Sequence, residues 1–374
     1  MLNGMSLAGI SEFVHEIRNA PHEAQIVFRV AARPTADGDA LVSVETVDAG
    51  SIRIPRRFCL QLSNGGSDEA GDQWRLTPYD CLLTGLGSCA LIVYVQALTL
   101  RGVAIDGLEV APVLEFTTSA AGSLLEVRRL GYAVTVDGAL QRDLLRWVDG
   151  QVRRYSPNYR TIAEQNPIAV FVGAAAGPAP VPVAFDAGAL DSAPENTMSS
   201  HSVRLRWRFG TQIEVRRGSR SDVLPLPAVY EVDQPKQLLG IDRAPNPQEW
   251  LLASLAGELA LRLSRDLPEA ERHRGMTVRV SGRLDLRGTL GVDPDVPTKV
   301  QDLQVSVDGL SSDPDITHIV RRAFETGMVS RLIAHAQTLA GDQCHRTGGA
   351  DVIVSSARQR DRYARASGTP GRSI

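Results

Sequence analysis

The sequence predicts an α+β protein assembled from two tandem copies of one domain, and three observations predict it. The first is a repeat. Thr77-Pro78-Tyr79-Asp80-Cys81-Leu82-Leu83-Thr84-Gly85-Leu86-Gly87-Ser88-Cys89 matches Asn246-Pro247-Gln248-Glu249-Trp250-Leu251-Leu252-Ala253-Ser254-Leu255-Ala256-Gly257-Glu258 at an offset of 169 (246 − 77). Val152-Arg153-Arg154 matches Val320-Arg321-Arg322 at an offset of 168 (320 − 152). A unit this long is no solenoid repeat, and two nearly equal offsets at distant places mark a duplicated domain. The second observation is the order of patterns in each copy: strands, a helix, strands, a helix, the segregation of an α+β fold. The third is the first helix, apolar on nearly every side from Cys81 to about Leu100, as a helix buried all round must be.

Each copy opens on strand signals, Gln25–Val30 and Val203–Phe209, with apolar residues at a period near two. The helix start is marked twice. Thr77 and Asn246 are N-caps, Pro78 and Pro247 hold the first helical position, and Asp80 and Glu249 complete a capping-box pattern. Gly85, Gly87 and Ser88, with Ser254, Ala256 and Gly257 in the second copy, let something pack close to these helices. Glycine turns follow at Gly102 and Gly275. Strands are expected at Leu108–Phe116 with Leu130–Val136 and at Thr277–Leu284 with Val300–Val307, and helices at about Leu140–Tyr155 and Asp315–Phe324. The domains are therefore 1–175 and 201–345. A Pro/Ala/Ser-rich linker is expected over 176–200 and a flexible, solvated tail over 346–374.

With 43% hydrophobic and 22% charged residues in 374, the composition is that of a soluble globular protein. A net charge of −3 gives no global basic field, so no nucleic-acid partner is expected. Glu12 and Glu16 stand where a secretory signal would be basic and then apolar. The most apolar run, Cys89–Leu100, is shorter than the roughly twenty residues of a membrane span. Of the cysteines Cys59, Cys81, Cys89 and Cys344, none forms a CxxC pair, and Cys344-His345 lacks a second ligand pair. No metal and no cofactor are expected, and the expected compartment is a reducing cytoplasm.

Pro78 to Cys89 resembles the active-site helix of the OsmC/Ohr family of thiol-dependent proteins. Arg101-Gly102, Asp106-Gly107-Leu108-Glu109-Val110 and Ser156-Pro157-Asn158-Tyr159-Arg160-Thr161-Ile162 continue the resemblance. The second copy carries it through Asn246–Leu259 and Leu284-Asp285-Leu286-Arg287-Gly288, followed by Gly291. It covers about 25–175 and 201–345. The resemblance implies intertwined domains around buried central helices, here an intramolecular pseudo-dimer, in a monomer or a further homodimer. It implies one site per copy, at the interface.

In that family the helix cysteine attacks the O–O bond of a peroxide. The resemblance thus implies Cys89 as nucleophile, an organic hydroperoxide as substrate and an oxidative-stress role. The reactive form is the thiolate, and a cysteine of ordinary pKa near 8.5 is mostly protonated at neutral pH. Cys89 is mid-helix, so a cation must approach it. Family members supply an arginine from the partner domain, held by a carboxylate near the helix start. Candidates are Arg29, Arg33, Arg53, Arg56 and Arg57, with Arg204, Arg206 and Arg208 in the other copy. Asp80 is the candidate carboxylate, with capping as its alternative role. Ser156, Tyr159 and Arg160 are candidate pocket residues, where the family chain passes its site.

The departures are as informative. Ser156 stands where the family usually has a resolving cysteine or Ser-Pro. Cys81 is eight residues from Cys89 on one helix, about 12 Å away and beyond disulfide reach. Cys59 stays open as a partner; otherwise Cys89 acts alone with an external thiol reductant. Glu258 replaces the cysteine in the second copy. It reads either as an ion pair with Arg262 at i+4 or as a buried acid/base of a re-purposed site. The seven histidines fall outside both motifs and read as surface or structural. Two functions therefore stay open. One is hydroperoxide reduction at Cys89, with the second copy as structural partner. The other is a re-purposed fold that acts on, or binds, a specialised small molecule without peroxidase turnover.

Overall fold

The computed structural model describes residues 1–64, 75–118, 124–138, 140–173, 180–185, 197–217, 230–272, 274–347 and 350–355. For 124–125, 197, 217, 237, 341–347 and 350–355 it describes the backbone alone. His273, the tail beyond 355, most of the 176–200 linker and the side chains of Cys344 and His345 lie outside the described residues.

The protein is α+β. The first half runs α1 (Leu7–Asn19), β1 (Gln25–Pro34), β2 (Ala40–Val44), β3 (Val47–Ala49), β4 (Ile52–Ile54), β5 (Cys59–Leu62) and α2 (Pro78–Leu100). It continues with β6 (Gly107–Thr118), β7 (Leu124–Asp137), α3 (Arg142–Tyr155), α4 (Pro157–Ala163) and β8 (Ile168–Val172). The second runs β9 (Thr197–Phe209), β10 (Gln212–Arg217), β11 (Tyr230–Val232), α5 (Pro247–Asp266), the short α6 (Glu269–Arg272), β12 (Thr277–Asp285) and the short α7 (Leu286–Thr289). It ends with β13 (Gln301–Asp308), α8 (Pro314–Thr326), α9 (Met328–Ala334), β14 (Ala340–Thr347) and β15 (Ala350–Ser355).

Two expected boundaries move. The Ser-rich run from Thr197, expected in the linker, is strand: Thr197 pairs with Thr118 and Ser200 with Glu115. Residues 346–347 and 350–355, expected in the tail, belong to β14 and β15, with His345 opposite Val352. The Ser-rich run looks like loop because the β6 partners that make it strand are far away in sequence.

Neither sheet belongs to one half. In the first, the order is β4-β3-β1-β12-β13-β8, with β2 on β1 and β5 on β2. There β1 is antiparallel to β12, and β8 is parallel to β13. In the second, the order is β11-β10-β9-β6-β7-β14-β15, with β9 antiparallel to β6 and β14 parallel to β7. Each half thus lends its opening hairpin and its closing strand to the sheet of the other.

The capping boxes start both central helices. Thr77 Oγ1 accepts from Asp80 N at 3.1 Å, and Asp80 Oδ2 accepts from Thr77 N at 2.9 Å. Asn246 Oδ1 accepts from Gln248 N and Glu249 N at 3.0 Å, and Glu249 Oε2 from Asn246 N at 2.8 Å. The helices α2 and α5 cross at Gly85, where a Cβ would lie 2.9 Å from both Leu251 N and Pro247 O. Only glycine admits a second backbone there. The sheets close over the same helices: Gly87 faces Leu205 of β9, and Gly257 faces Leu62 of β5. By length and composition α2 passes as a membrane span, with a mean hydropathy of 1.9, yet 94% of that window is buried inside the protein.

Candidate functional site

Cys89 lies midway along α2, 4% exposed, on a narrow cleft of about 70 Å³. The wall is mostly aliphatic and aromatic: Ile92 and Val93 of α2, Ile10 and Phe13 of α1, and Leu286 and Leu290 from the second half. The site is therefore composite, since both halves and the N-terminal helix line it.

Three groups converge on Sγ. Gln248 Nε2, at the start of α5, lies 3.7 Å away. The backbone N–H of Asn158, in the first turn of α4, points at it, and so does the buried Ser156 hydroxyl, which sits outside hydrogen-bonding geometry with any group. Each favours the thiolate, but burial is the larger effect and pushes the thiol up to about 11. Cys89 is mid-helix, away from the start of its own helix as the sequence has it, but the tertiary fold brings the start of α4 to it. Asn158 also joins the two central helices, because its Nδ2 donates to Gly85 O and Pro247 O, both at 2.8 Å.

The signature segment divides. Ser156 stands beside the thiol, and Tyr155 and Pro157 line the cleft. Tyr159 and Arg160 turn away, since α4 begins at Pro157 and its next residues take the opposite face. Half-buried Tyr159 faces Asp149 and Arg153 of α3, and Arg160 pairs with Glu164.

The candidate arginines are committed elsewhere or exposed. Arg29 and Arg53 share Asp48, at 2.7 and 3.1 Å. Arg33 donates to Thr277 Oγ1 at 3.1 Å, Arg208 pairs with Glu214, and Arg57 and Arg206 are exposed. Arg204 is half-buried on β9. Arg56 is the buried one. It grips Glu249 through two bonds of 2.9 and 2.7 Å, pairs with Asp242, and lies 4.7 Å over the Phe58 ring. An arginine held by a carboxylate at a helix start thus exists, but the carboxylate is Glu249 at the start of α5. Asp80 serves the cap of α2. Among the described residues no Lys, Arg or His lines the Cys89 cleft.

What the cleft does hold are buried polar atoms without partners: Gln248 Oε1, Gln234 Oε1 and Thr289 Oγ1. Sequence reasoning missed all three, because they come from the second half and only the fold turns them toward Cys89. Of the other thiols, Cys81 is fully buried and pushed well above the ordinary range by burial, and Cys59 is exposed on β5, 3.7 Å from Ser43 Oγ.

No protein-family model matches the chain, and no curated protein matches it. What the sites do must come from their own groups.

At the equivalent place in the second half, Glu258 is 5% exposed. Its Oε1 accepts from Met328 N at 2.8 Å and Val329 N at 3.0 Å, and its Oε2 from Val329 N at 3.0 Å and Ser330 N at 3.3 Å. The first turn of α9 is its main partner. Arg262 acts on it through space as a favourable charge, and burial still leaves its pKa raised. Beside it opens a cavity of about 740 Å³, where Arg262, Arg265, Arg322, Tyr79, His201 and His318 meet. Of the histidines read as surface or structural, exposed His318 and half-buried His201 line this cavity. A signal was available: at the offset of 169, Arg262 and Arg265 replace Val93 and Gln96 of the Cys89 cleft.

Proposed function

We propose that the chain is a tandem pair of OsmC-like domains forming an intramolecular pseudo-dimer. We propose further that the fold is re-purposed: the Cys89 cleft binds a small neutral molecule and does not turn over peroxide. The reciprocal strand exchange and the crossing of α2 and α5 support the pseudo-dimer. The observation that carries the binding reading is the cleft itself. It is uncharged and aliphatic, and it presents unpartnered amide oxygens at Gln234 and Gln248 beside a protonated thiol. Buried acceptors left unpaired cost free energy that a ligand's donor recovers. The ligand class is therefore a small apolar molecule bearing an N–H or O–H group.

The peroxidase reading has one observation in its favour. Gln248, Asn158 N–H and Ser156 all face Sγ and would stabilise a thiolate once formed. The two readings part on one measurement: cysteine-by-cysteine sulfenic acid formation by mass spectrometry after brief exposure to one equivalent of cumene hydroperoxide, with Cys89→Ser as control. The binding reading expects Cys89 to oxidise no faster than Cys59. Rapid, selective oxidation of Cys89, reversed by a dithiol, would overturn it in favour of hydroperoxide reduction with an external thiol.

A further inference from the structure

The cavity beside Glu258 differs from the Cys89 cleft in every property that selects a ligand. It is roughly ten times larger, about 740 against 70 Å³, within the range of small-molecule sites. The repeat offset makes the change of chemistry explicit: Val93 and Gln96 become Arg262 and Arg265 one turn apart on α5, and α8 adds Arg322 from the facing side. Among the described residues, no carboxylate forms an ion pair with any of these three guanidinium groups. Arg262 donates to Thr326 Oγ1 at 2.5 Å, and its Nε is buried without an acceptor. Two carboxylates line the cavity. Glu258 has both oxygens engaged by the amides of α9, and Asp266 is exposed.

Three aromatic rings line the same cavity. Tyr79 meets Phe116 edge-on with ring centroids 5.3 Å apart, and meets His201 at 4.7 Å. Phe116 and His201 are stacked at 5.8 Å, with planes only 6° apart. A cluster of guanidinium groups in one cavity with aromatic rings recognises two things at once: an oxyanion, through bidentate charge-assisted bonds, and a ring that packs edge or face against the aromatic side chains.

We infer that the second-half cavity is a binding site for an organic anion, a planar aromatic or conjugated group carrying a carboxylate or phosphate. The anion sits between Arg262, Arg265 and Arg322, and the ring lies against Tyr79, Phe116 and His201. The site is separate from the Cys89 cleft and does not depend on the reading proposed for it.

Isothermal titration calorimetry of the full chain tests this with 2-naphthoate, its neutral isostere 2-naphthamide, and inorganic phosphate. The expected result is one site for 2-naphthoate. The amide and phosphate should bind at least about tenfold more weakly, and added salt should weaken the naphthoate. Arg265→Gln with Arg322→Gln, both at exposed positions where folding is preserved, should weaken 2-naphthoate by about tenfold or more, with Cys89→Ser unchanged. Equal binding of acid and amide, an unaffected double variant, or no binding of 2-naphthoate at millimolar concentration would each overturn the assignment.

Discussion

Glu258 and Gly327 are fitted to each other. A Cβ at Gly327 would lie 2.6 Å from Glu258 Oε2 and 2.6 Å from Ser330 Oγ. Gly327 is the N-cap of α9, as Ser156 is of α4 beside Cys89. In the first half a thiol and a hydroxyl share the space; in the second a carboxylate fills it and leaves room only for hydrogen. Gly327→Ser should therefore displace the carboxylate from its amides and cost about 1–3 kcal/mol in urea denaturation. An unchanged midpoint would mean that Glu258 is loosely held.

Glu258 also imposes a pH dependence. Its folded pKa lies above its ordinary 4.5, chiefly through burial. Below the ordinary value both states are protonated and the contribution is fully present. As pH rises toward the folded pKa the unfolded state ionises first, so stability is lost across that window. Glu258→Gln removes the slope, and its cost should be larger at about pH 4 than at pH 7. Equal costs at both would show that folding leaves the Glu258 pKa where it is in the unfolded chain.

Cys89 should alkylate slowly at neutral pH. With a pKa pushed up to about 11, its thiolate fraction grows about tenfold per pH unit. Peptide mass spectrometry after iodoacetamide treatment should show its rate still climbing at about pH 10. A plateau below pH 9 would mean that a cation reaches the thiol.

The buried Arg56–Glu249 pair joins the two halves, with side chains 1% and 0% exposed. Arg56→Met leaves a carboxylate buried without its cation and should cost about 3–5 kcal/mol. Adding Glu249→Gln should recover part of that, so the double variant is more stable than the sum of the singles predicts. Additive losses would remove the pair from the interface's energetics.

At the helix crossing, Gly85→Ala sets a helix-propensity gain of about 1 kcal/mol against overpacking of about 1–3 kcal/mol on backbone atoms that cannot rotate aside. The net should be destabilising in thermal denaturation. A more stable alanine variant would show that the helices separate freely at this point.

Much of the fold was legible in the residues. Both capping boxes and the all-round apolar α2 are local patterns, set by helix geometry and the burial of apolar surface, and they appear in the structure where the pattern puts them. The small residues of α2 announced a close approach, although only the structure shows that Gly85 meets the backbone of α5 while Gly87 meets β9. The site was legible only in part. Cys89 and Ser156 come from segments that carry the motif. Gln248 was visible only as part of the repeat, and Gln234 and Thr289 carried no signal at all.

The sequence by itself determined the α+β class and where each central helix begins, because caps, periodicity and composition act over a few residues. Tertiary structure alone decided that each half completes the other's sheet, that Arg56 serves Glu249, that Glu258 is held by α9, and that three arginines share one cavity. Those outcomes depend on groups 60 to 260 positions apart whose meeting is set by chain topology and packing, and on how burial outweighs the hydrogen bonds that reach a thiol or a carboxylate.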